Sequence, residues 1–355
     1  MKALTVLSLF DGMRCGRLAL EKAGIPVAKY YASEIDKFAI KESTVNFPND
    51  VNLGDVTQWR EWNIEWSSID LLIGGSPCQG FSFAGKQLAF DDPRSALFFV
   101  YVDILNHLKK VNPGAKFMLE NVKMKKEFLQ VITDYMGVEP MFINSALVSA
   151  QNRQRYYWFN WEVDMPEDRG ILLGGILEIE PTNPTVMSDK FVSRQNGRKC
   201  LVDNFDRKAS SLIAMEYVKN GRQGDYIKCG AMRGRYIVDG KRQDGKIKTA
   251  GLTTQRIEVR QDDKTNCLTT VQKDNLVIIR NKSKTVRASG RNSFDRHEWD
   301  SISDCHYRKL TVIECCRLQG VPDDYFKVSS NTQAYKMLGN GWQVDTVAHI
   351  FGGLI

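Results

Sequence analysis

Residues 69–82, IDLLIGGSPCQGFS, run from an apolar segment through two glycines into Ser76, Pro77 and Cys78. An apolar run of this kind reads as a core strand, and a Gly/Pro-rich loop after it presents side chains rather than burying them. Cys78 is therefore a candidate nucleophile. The reacting species would be the thiolate, and a free cysteine titrates near about 8.5, so the loop must favour the charged form. Four more polar motifs fall where strands are expected to end: FDG (10–12), SEID (33–36), GDV (54–56) and ENV (120–122). Ligands of open α/β sheets bind beyond the carboxyl ends of strands. One such motif reads as a turn; five together point to a single site.

The chemistry of that site suits a nucleoside. Gly12 lets backbone approach a ligand closely. Glu34, after the second strand, is placed to accept from ribose hydroxyls. Asp55 can accept from an adenine amino group. FDGMRCG is not G-x-G-x-x-G, and no P-loop lysine follows it, so a pyrophosphate cradle is disfavoured, and with it a nucleotide-dependent oxidoreductase. An adenosine moiety without phosphates fits better, which points to S-adenosyl-L-methionine.

The elements that must hold these residues alternate along 1–160. Strands are expected over 4–10, 27–36, 67–75, 115–122 and 155–161, and helices over 16–24, 36–48, 93–113 and 126–137. Such alternation predicts an α/β fold, an open, mostly parallel, Rossmann-like sheet with helices on both faces. After Trp161 the rhythm is lost. Residues 166–305 are polar and loop-rich, with short β-prone runs such as GRYIVDG and NLVIIRN. Helical patterning returns near Tyr307, with Thr311 as a candidate N-cap. The expected organisation is a catalytic and cofactor-binding domain of 1–165 plus 306–355, and a smaller, irregular β-rich domain of 166–305, with a cleft between them.

Charge separates the same two parts. The chain of 355 residues carries a formal +7, and 166–305 holds 26 Lys+Arg against 19 Asp+Glu, which is all of the excess. A polyanion partner is expected there. No apolar run approaches the about 18–20 residues of a membrane span, and MKALTVLSLFDG reads as a first strand rather than a leader. Eight cysteines without a spacing framework suit a reducing compartment. The four histidines do not cluster with them, so no metal site is expected.

FDG, SPCQGFS, ENV, QNRQR, RLQGVPDDY and LGNGWQV, in this order and spacing, resemble the DNA cytosine-5 methyltransferase family, over about 1–160 and 307–355. Most of the likeness is to bacterial and phage enzymes, while FDGMRCG, SPC and the Trp342 segment lean toward the vertebrate de novo methyltransferases. The resemblance implies methylation of C5 of cytosine in a specific duplex sequence, with the base flipped out and a covalent bond between Cys78 and C6. It implies that Glu120 contacts N3 and the exocyclic amine. Arg155 would hold the base carbonyl oxygen, Arg153 would support the loop, Pro77 would stiffen the cysteine turn and Asn121 would brace the site. The cofactor set it completes is Phe10, Asp11, Gly12, Met13, Glu34, Ile35, Asp55, Val56, Gly75, Leu97, Asn340 and Trp342. Residues 166–305 become a target recognition domain, with GAMRGRYIVDGKRQDGK and TTQRIEVRQ as candidate base-reading stretches. Double-stranded DNA is the implied partner, a cognate restriction endonuclease a second one, and the enzyme is expected to act as a cytoplasmic monomer without a membrane. The chain departs from the family at Arg14 and Cys15, which stand where glycines are common. A transfer-RNA methyltransferase of the same chemical class and a DNA-docking homologue without activity are the rivals; the long basic insert speaks against the first and the intact Cys78, Glu120 and Arg155 against the second.

Overall fold

The computed structural model describes residues 2–76, 96–178, 201–203, 226–238, 241–242, 253–260, 262–270, 274–280 and 305–355. Two compact units emerge, Met1–Ile171 with Cys316–Ile355, and Leu172–Cys315.

The first unit is built on β1 (Leu4–Leu9), β2 (Val27–Ser33), β3 (Val51–Asn52), β4 (Leu71–Gly74), β5 (Lys116–Val122), β6 (Met141–Asn144) and β7 (Gln154–Phe159). Their order across the sheet is β3-β2-β1-β4-β5-β7-β6. The pairs among β1 to β5 are parallel, whereas β7 runs antiparallel to both β5 and β6. β1 shows why the apolar runs sit centrally: Val6, Leu7 and Leu9 have no exposed surface, as a strand covered on both faces requires. Between the strands run α1 (Cys15–Lys22), α2 (Lys37–Asn46), α3 (Ala96–Val111) and α4 (Lys126–Met136). α2 starts where Asp36 accepts from the Phe38 amide at 2.9 Å, a side-chain N-cap. Leu7, Leu72, Phe98, Tyr101, Ile104 and Trp158 form the heart of one core cluster, joining β1, β4, α3 and β7.

The second unit holds β8 (Leu201–Asp203), β9 (Tyr226–Val238), β10 (Lys241–Arg242), β11 (Thr253–Val259), β12 (Leu276–Arg280) and β13 (Cys305–Lys309). β13-β12-β9-β11-β8 is the order, with β10 paired to β9, and every pair except β8–β11 is antiparallel. Ile257, Leu276, Val277 and Ile278 are buried on it. Residues 307–309, where returning helical pattern was expected, thus belong to a strand whose backbone pairs with β12, and the helix begins only after Thr311. That helix, α5 (Val312–Gln319), has Thr311 as its cap: the Glu314 amide donates to the Thr311 hydroxyl at 3.1 Å, and the Thr311 amide to the Glu314 carboxylate at 2.9 Å. α6 (Asn331–Asn340) and α7 (Val344–Gly352) then belong to the first unit. Among the described residues no helix is long and apolar enough to cross a membrane.

Candidate active site

The carboxyl ends of β1, β2, β4 and β5, with the start of β7 and the turn after α6, surround one cavity of about 490 Å³ in the first unit. Each wall begins in a local sequence choice. After β1 the chain reverses through Phe10, Gly12 and Arg14, all in the left-handed region (φ 56°, 62° and 63°). Gly12 adopts it freely; for Phe10 and Arg14 it costs about 1–2 kcal/mol each, so other contacts must hold the loop. Three do. The Gly12 amide donates to Glu34 at 2.7 Å, the Tyr325 hydroxyl donates to the Met13 carbonyl at 2.6 Å, and Asp11 accepts from Tyr30 at 2.7 Å and Arg14 at 2.5 Å.

Glu34 also accepts from the amides of Ile35 (2.8 Å) and Asp36 (2.7 Å). Its carboxylate therefore orders the turns after β1 and β2 before any ligand arrives, and among the described residues one of its oxygens takes only the Gly12 amide. Asp55 caps the short helical turn Val56–Glu61 by accepting from the Thr57 amide and hydroxyl, both at 2.9 Å and both through Oδ1. Oδ2 of Asp55 carries none of these bonds.

At the far wall the antiparallel register sets Glu120 opposite Tyr157 and Val122 opposite Arg155. Glu120 and Arg155 are thus diagonal neighbours on one face, and Arg155 Nε lies 2.8 Å from Glu120 Oε1. Asn121 points to the other face, is buried, and donates to the Ser76 hydroxyl at 3.3 Å. The chain leading to Pro77 and Cys78 is thereby fixed at Ser76; Pro77 and Cys78 themselves lie outside the described residues. A Cβ on Gly75 would come within 2.7 Å of Trp342 Nε1 and 3.1 Å of Glu120, so only glycine lets β4 end against both.

Arg153 is buried and donates to the Gly341 carbonyl at 2.7 Å, which ties the start of β7 to the turn carrying Trp342. Glutamines supply the rest of this brace, a part the sequence analysis left unassigned. Gln151 donates to Gln319 at 3.2 Å, and Gln319 to the carbonyls of Leu338 and Gly341 at 2.5 and 3.2 Å. Gln343 accepts from the Thr346 amide at 2.7 Å and starts α7. The signal was present: QNRQR, RLQG and GWQV each carry a glutamine, and a buried amide that both donates and accepts is a natural joint between segments.

Of the residues singled out for cofactor binding, all twelve line the cavity, as do Glu120, Arg153 and Arg155. Asp36, Met337 and Lys336 line it too, with Lys336 paired to Asp36 at 2.7 Å. Cys15 also reaches the cavity wall, but burial pushes its thiol up to about 12, against a hydrogen bond from the Trp342 backbone. It stays protonated and is no nucleophile.

A family model described as C-5 cytosine-specific DNA methylase matches residues 4–355. The chain belongs to that family. Among its relatives, the type II methyltransferase M1.ScrFI of Lactococcus lactis subsp. cremoris is 28% identical, over 96% of this chain and 75% of the relative. The orphan methyltransferase M.SPRI of Bacillus phage SPR is 27% identical, over 100% and 98%. Among solved structures, the Entamoeba histolytica methyltransferase EhMeth covers 100% of this chain and 98% of its own at a TM-score of 0.62 and 15% identity. S. pombe Dnmt2 covers 99% and 98% at 0.55 and 18%. These structures share the fold of this methylase. The enzyme is a cytosine-5 DNA methyltransferase, a transferase of the kind found in restriction–modification, acting on C5 of cytosine in DNA by the covalent route standard for the family.

The cavity fits the methyl donor usual for methyltransferases. Its size is that of a small-molecule site. Glu34 and Asp55 place carboxylates on its lining, which suit ribose hydroxyls and an amine better than a pyrophosphate.

Proposed function

We propose that this methylase takes S-adenosyl-L-methionine into the 490 Å³ cavity and uses Cys78, Glu120 and Arg155 on the target cytosine. Glu34 would accept from the ribose, Asp55 from the adenine amine, and Phe10 and Trp342 would flank the apolar parts. When bound, the cofactor supplies a methyl group on a positively charged sulfur. Cys78 forms a bond from its thiolate sulfur to C6 of the flipped base, which turns an inert C5 into an enamine carbon. Glu120 holds a proton at N3 and offsets the charge that develops as sulfur adds. Arg155 holds the base carbonyl oxygen. Arg153 and Asn121 position the loops on either side. Once C5 has gained the methyl group and lost its proton, the bond to Cys78 breaks and the thiolate is restored.

One observation carries the reading. The Glu120–Arg155 pair and the Asn121–Ser76 hydrogen bond come from neighbouring residues of β5, one on each face, and the second fixes the residue two positions before Cys78. Residues 166–305 would carry target recognition. Their basic balance provides salt-sensitive phosphate contacts, and β9–β10 and β11 carry the two stretches expected to read bases. A cognate restriction endonuclease and work as a monomer in the cytoplasm complete the proposal.

Sequencing of a plasmid after bisulfite treatment, recovered from cells making this protein, tests it. Methylated cytosines in one recurrent context are expected, and Cys78→Ser should abolish them while S-adenosyl-L-homocysteine still binds. Methylation by the serine variant at the wild-type level removes Cys78 from the mechanism.

A further inference from the structure

Arg14 stands where the family resemblance leads one to expect a small residue. It is 3% exposed and sits in a left-handed conformation that a glycine would take without strain. Phe10, Asp11, Gly12, Met13 and Cys15 line the cavity. Arg14 is not among the lining residues; its guanidinium lies behind the loop. There Nη1 donates to Asp11 Oδ2 at 2.5 Å, and Nε faces Asp50 Oδ2 at 3.4 Å. The guanidinium carbon is 5.6 Å from the centre of the Tyr30 ring, and the Tyr30 hydroxyl donates to the other Asp11 oxygen at 2.7 Å.

Both oxygens of Asp11 are thus taken by protein groups, and its carboxylate is turned inward, away from a ligand. A buried carboxylate with one cationic and one neutral donor is well fixed, provided the cation is present. Without it, Asp11 would carry an uncompensated charge beneath the cavity, and the loop would have to move to hydrate it. Arg14 also caps α1, since the Leu18 amide donates to its carbonyl at 3.0 Å. The residue therefore links the first turn of the helix, the loop and the Asp50 segment. Seen this way, the strained conformation is the cost of placing a guanidinium behind a cofactor loop.

We propose that Arg14 is a positioning residue for the methyl donor, acting through Asp11 to hold the 10–13 backbone in its binding shape. The proposal rests on the cofactor assignment above. Strain and clamp make opposite demands on Arg14→Gly. Relief of strain alone would leave cofactor affinity unchanged or improved; loss of the clamp weakens it.

The test is the dissociation constant for S-adenosyl-L-homocysteine by calorimetry, beside the constant for duplex DNA and the melting curve. Wild type must bind the nucleoside first; if it does not, the cofactor assignment falls. Given that binding, Arg14→Gly should weaken it about tenfold or more, with DNA affinity retained. Arg14→Lys should fall between, because it keeps the charge and loses the fork. In the double variant Asp11→Asn/Arg14→Gly the loss should be no greater than in Asp11→Asn alone, since both act along one path. If Arg14→Gly does not fold, Arg14→Lys decides by the same readout. Wild-type affinity in whichever variant folds, or losses that simply add in the double variant, overturns the role of Arg14.

Discussion

In the first unit the ionisable side chains gather at the carboxyl ends of the parallel strands, where Glu34, Glu120 and Arg155 face one cavity. In the second they lie along strand faces and pair across them. Arg235 of β9 forks onto Glu258 of β11, with two contacts of 2.5 Å. The difference follows from the sheets. Parallel strands buried on both faces can offer polar groups only at their ends. Antiparallel strands that leave one face open can carry them along their whole length. Chemistry at a point suits the first arrangement, and contact along an extended polyanion suits the second.

The sharpest way to test that division is Glu120→Gln. It keeps the shape and much of the hydrogen bonding but removes the acid, so methylation should slow by about 10²–10⁴-fold. Binding of duplex DNA and of S-adenosyl-L-homocysteine should stay near wild type. Single-turnover rates beside the two dissociation constants decide it; loss of DNA affinity as large as the loss of rate would make Glu120 a binding group and blur the two regions.

A second comparison sets one buried ion pair of the second unit against the cavity. Arg308 makes two contacts of 2.7 Å with Glu314, whose side chain is fully buried and also accepts from the Thr311 and Glu178 amides. Arg308→Ala leaves that carboxylate without its cation and should destabilise by about 3–5 kcal/mol. Urea unfolding followed by circular dichroism measures it. A change below about 1 kcal/mol would mean that water or another group reaches Glu314 easily.

How much of this was legible in the chain depends on the range of the interaction. Most strand and helix positions in 1–160 were readable, because α1 and α4 obey local periodicity and are followed by Gly24 and Gly137, both left-handed; β3 and β6 were not, because two and four residues carry too little pattern to mark a strand. The strip of residues around the cavity was readable because each polar motif follows its own strand. The reversal of β7 was not. RYYWFNW reads as one more apolar strand in either direction, yet its antiparallel register is what brings Arg155 to Glu120. The glutamine joint between Gln151 and Gln319 was hidden for a similar reason: 168 residues separate the partners. The left-handed turns at Phe10 and Arg14 run against the intrinsic preference of both residues, so no propensity could foresee them.

Arg233 offers a smaller effect that sharpens the same contrast. It is two residues from Arg235 on β9, but its ion pairs to Glu258 and Asp274 are loose, at 3.9 and 3.8 Å, and its side chain is 39% exposed. A cation so weakly held can exchange its partners for a phosphate at little cost. Arg233→Ala should lower duplex affinity by about 1–3 kcal/mol if it reads a base, or reduce the salt slope by about one if it meets a phosphate. Cofactor binding should not change. Titrations at two salt concentrations separate the outcomes, and an unaltered affinity at both removes Arg233 from the interface.

The faintest expected signal concerns Asp50, the counterpart in the first unit of the tight Arg308–Glu314 pair. Its contacts are long, 3.4 Å to Arg14 and 3.8 Å to Arg17, and a cavity of about 420 Å³ lies against it. Burial pushes its carboxyl up to about 6, further than Arg14 and Arg17 pull it down, with Asp11 and Glu21 adding to the rise. A carboxyl raised on folding takes up its proton more readily in the folded chain. Its contribution favours the fold below about pH 4, where both states are protonated, and is lost as pH rises through 6. Asn has no such titration. Asp50→Asn should therefore gain in melting temperature relative to wild type as pH goes from 5 to 7, modestly, because solvent in the cavity screens the charge. A difference that is flat across this window, or that shrinks, would show that Arg14 and Arg17 hold Asp50 as firmly as Arg308 holds Glu314.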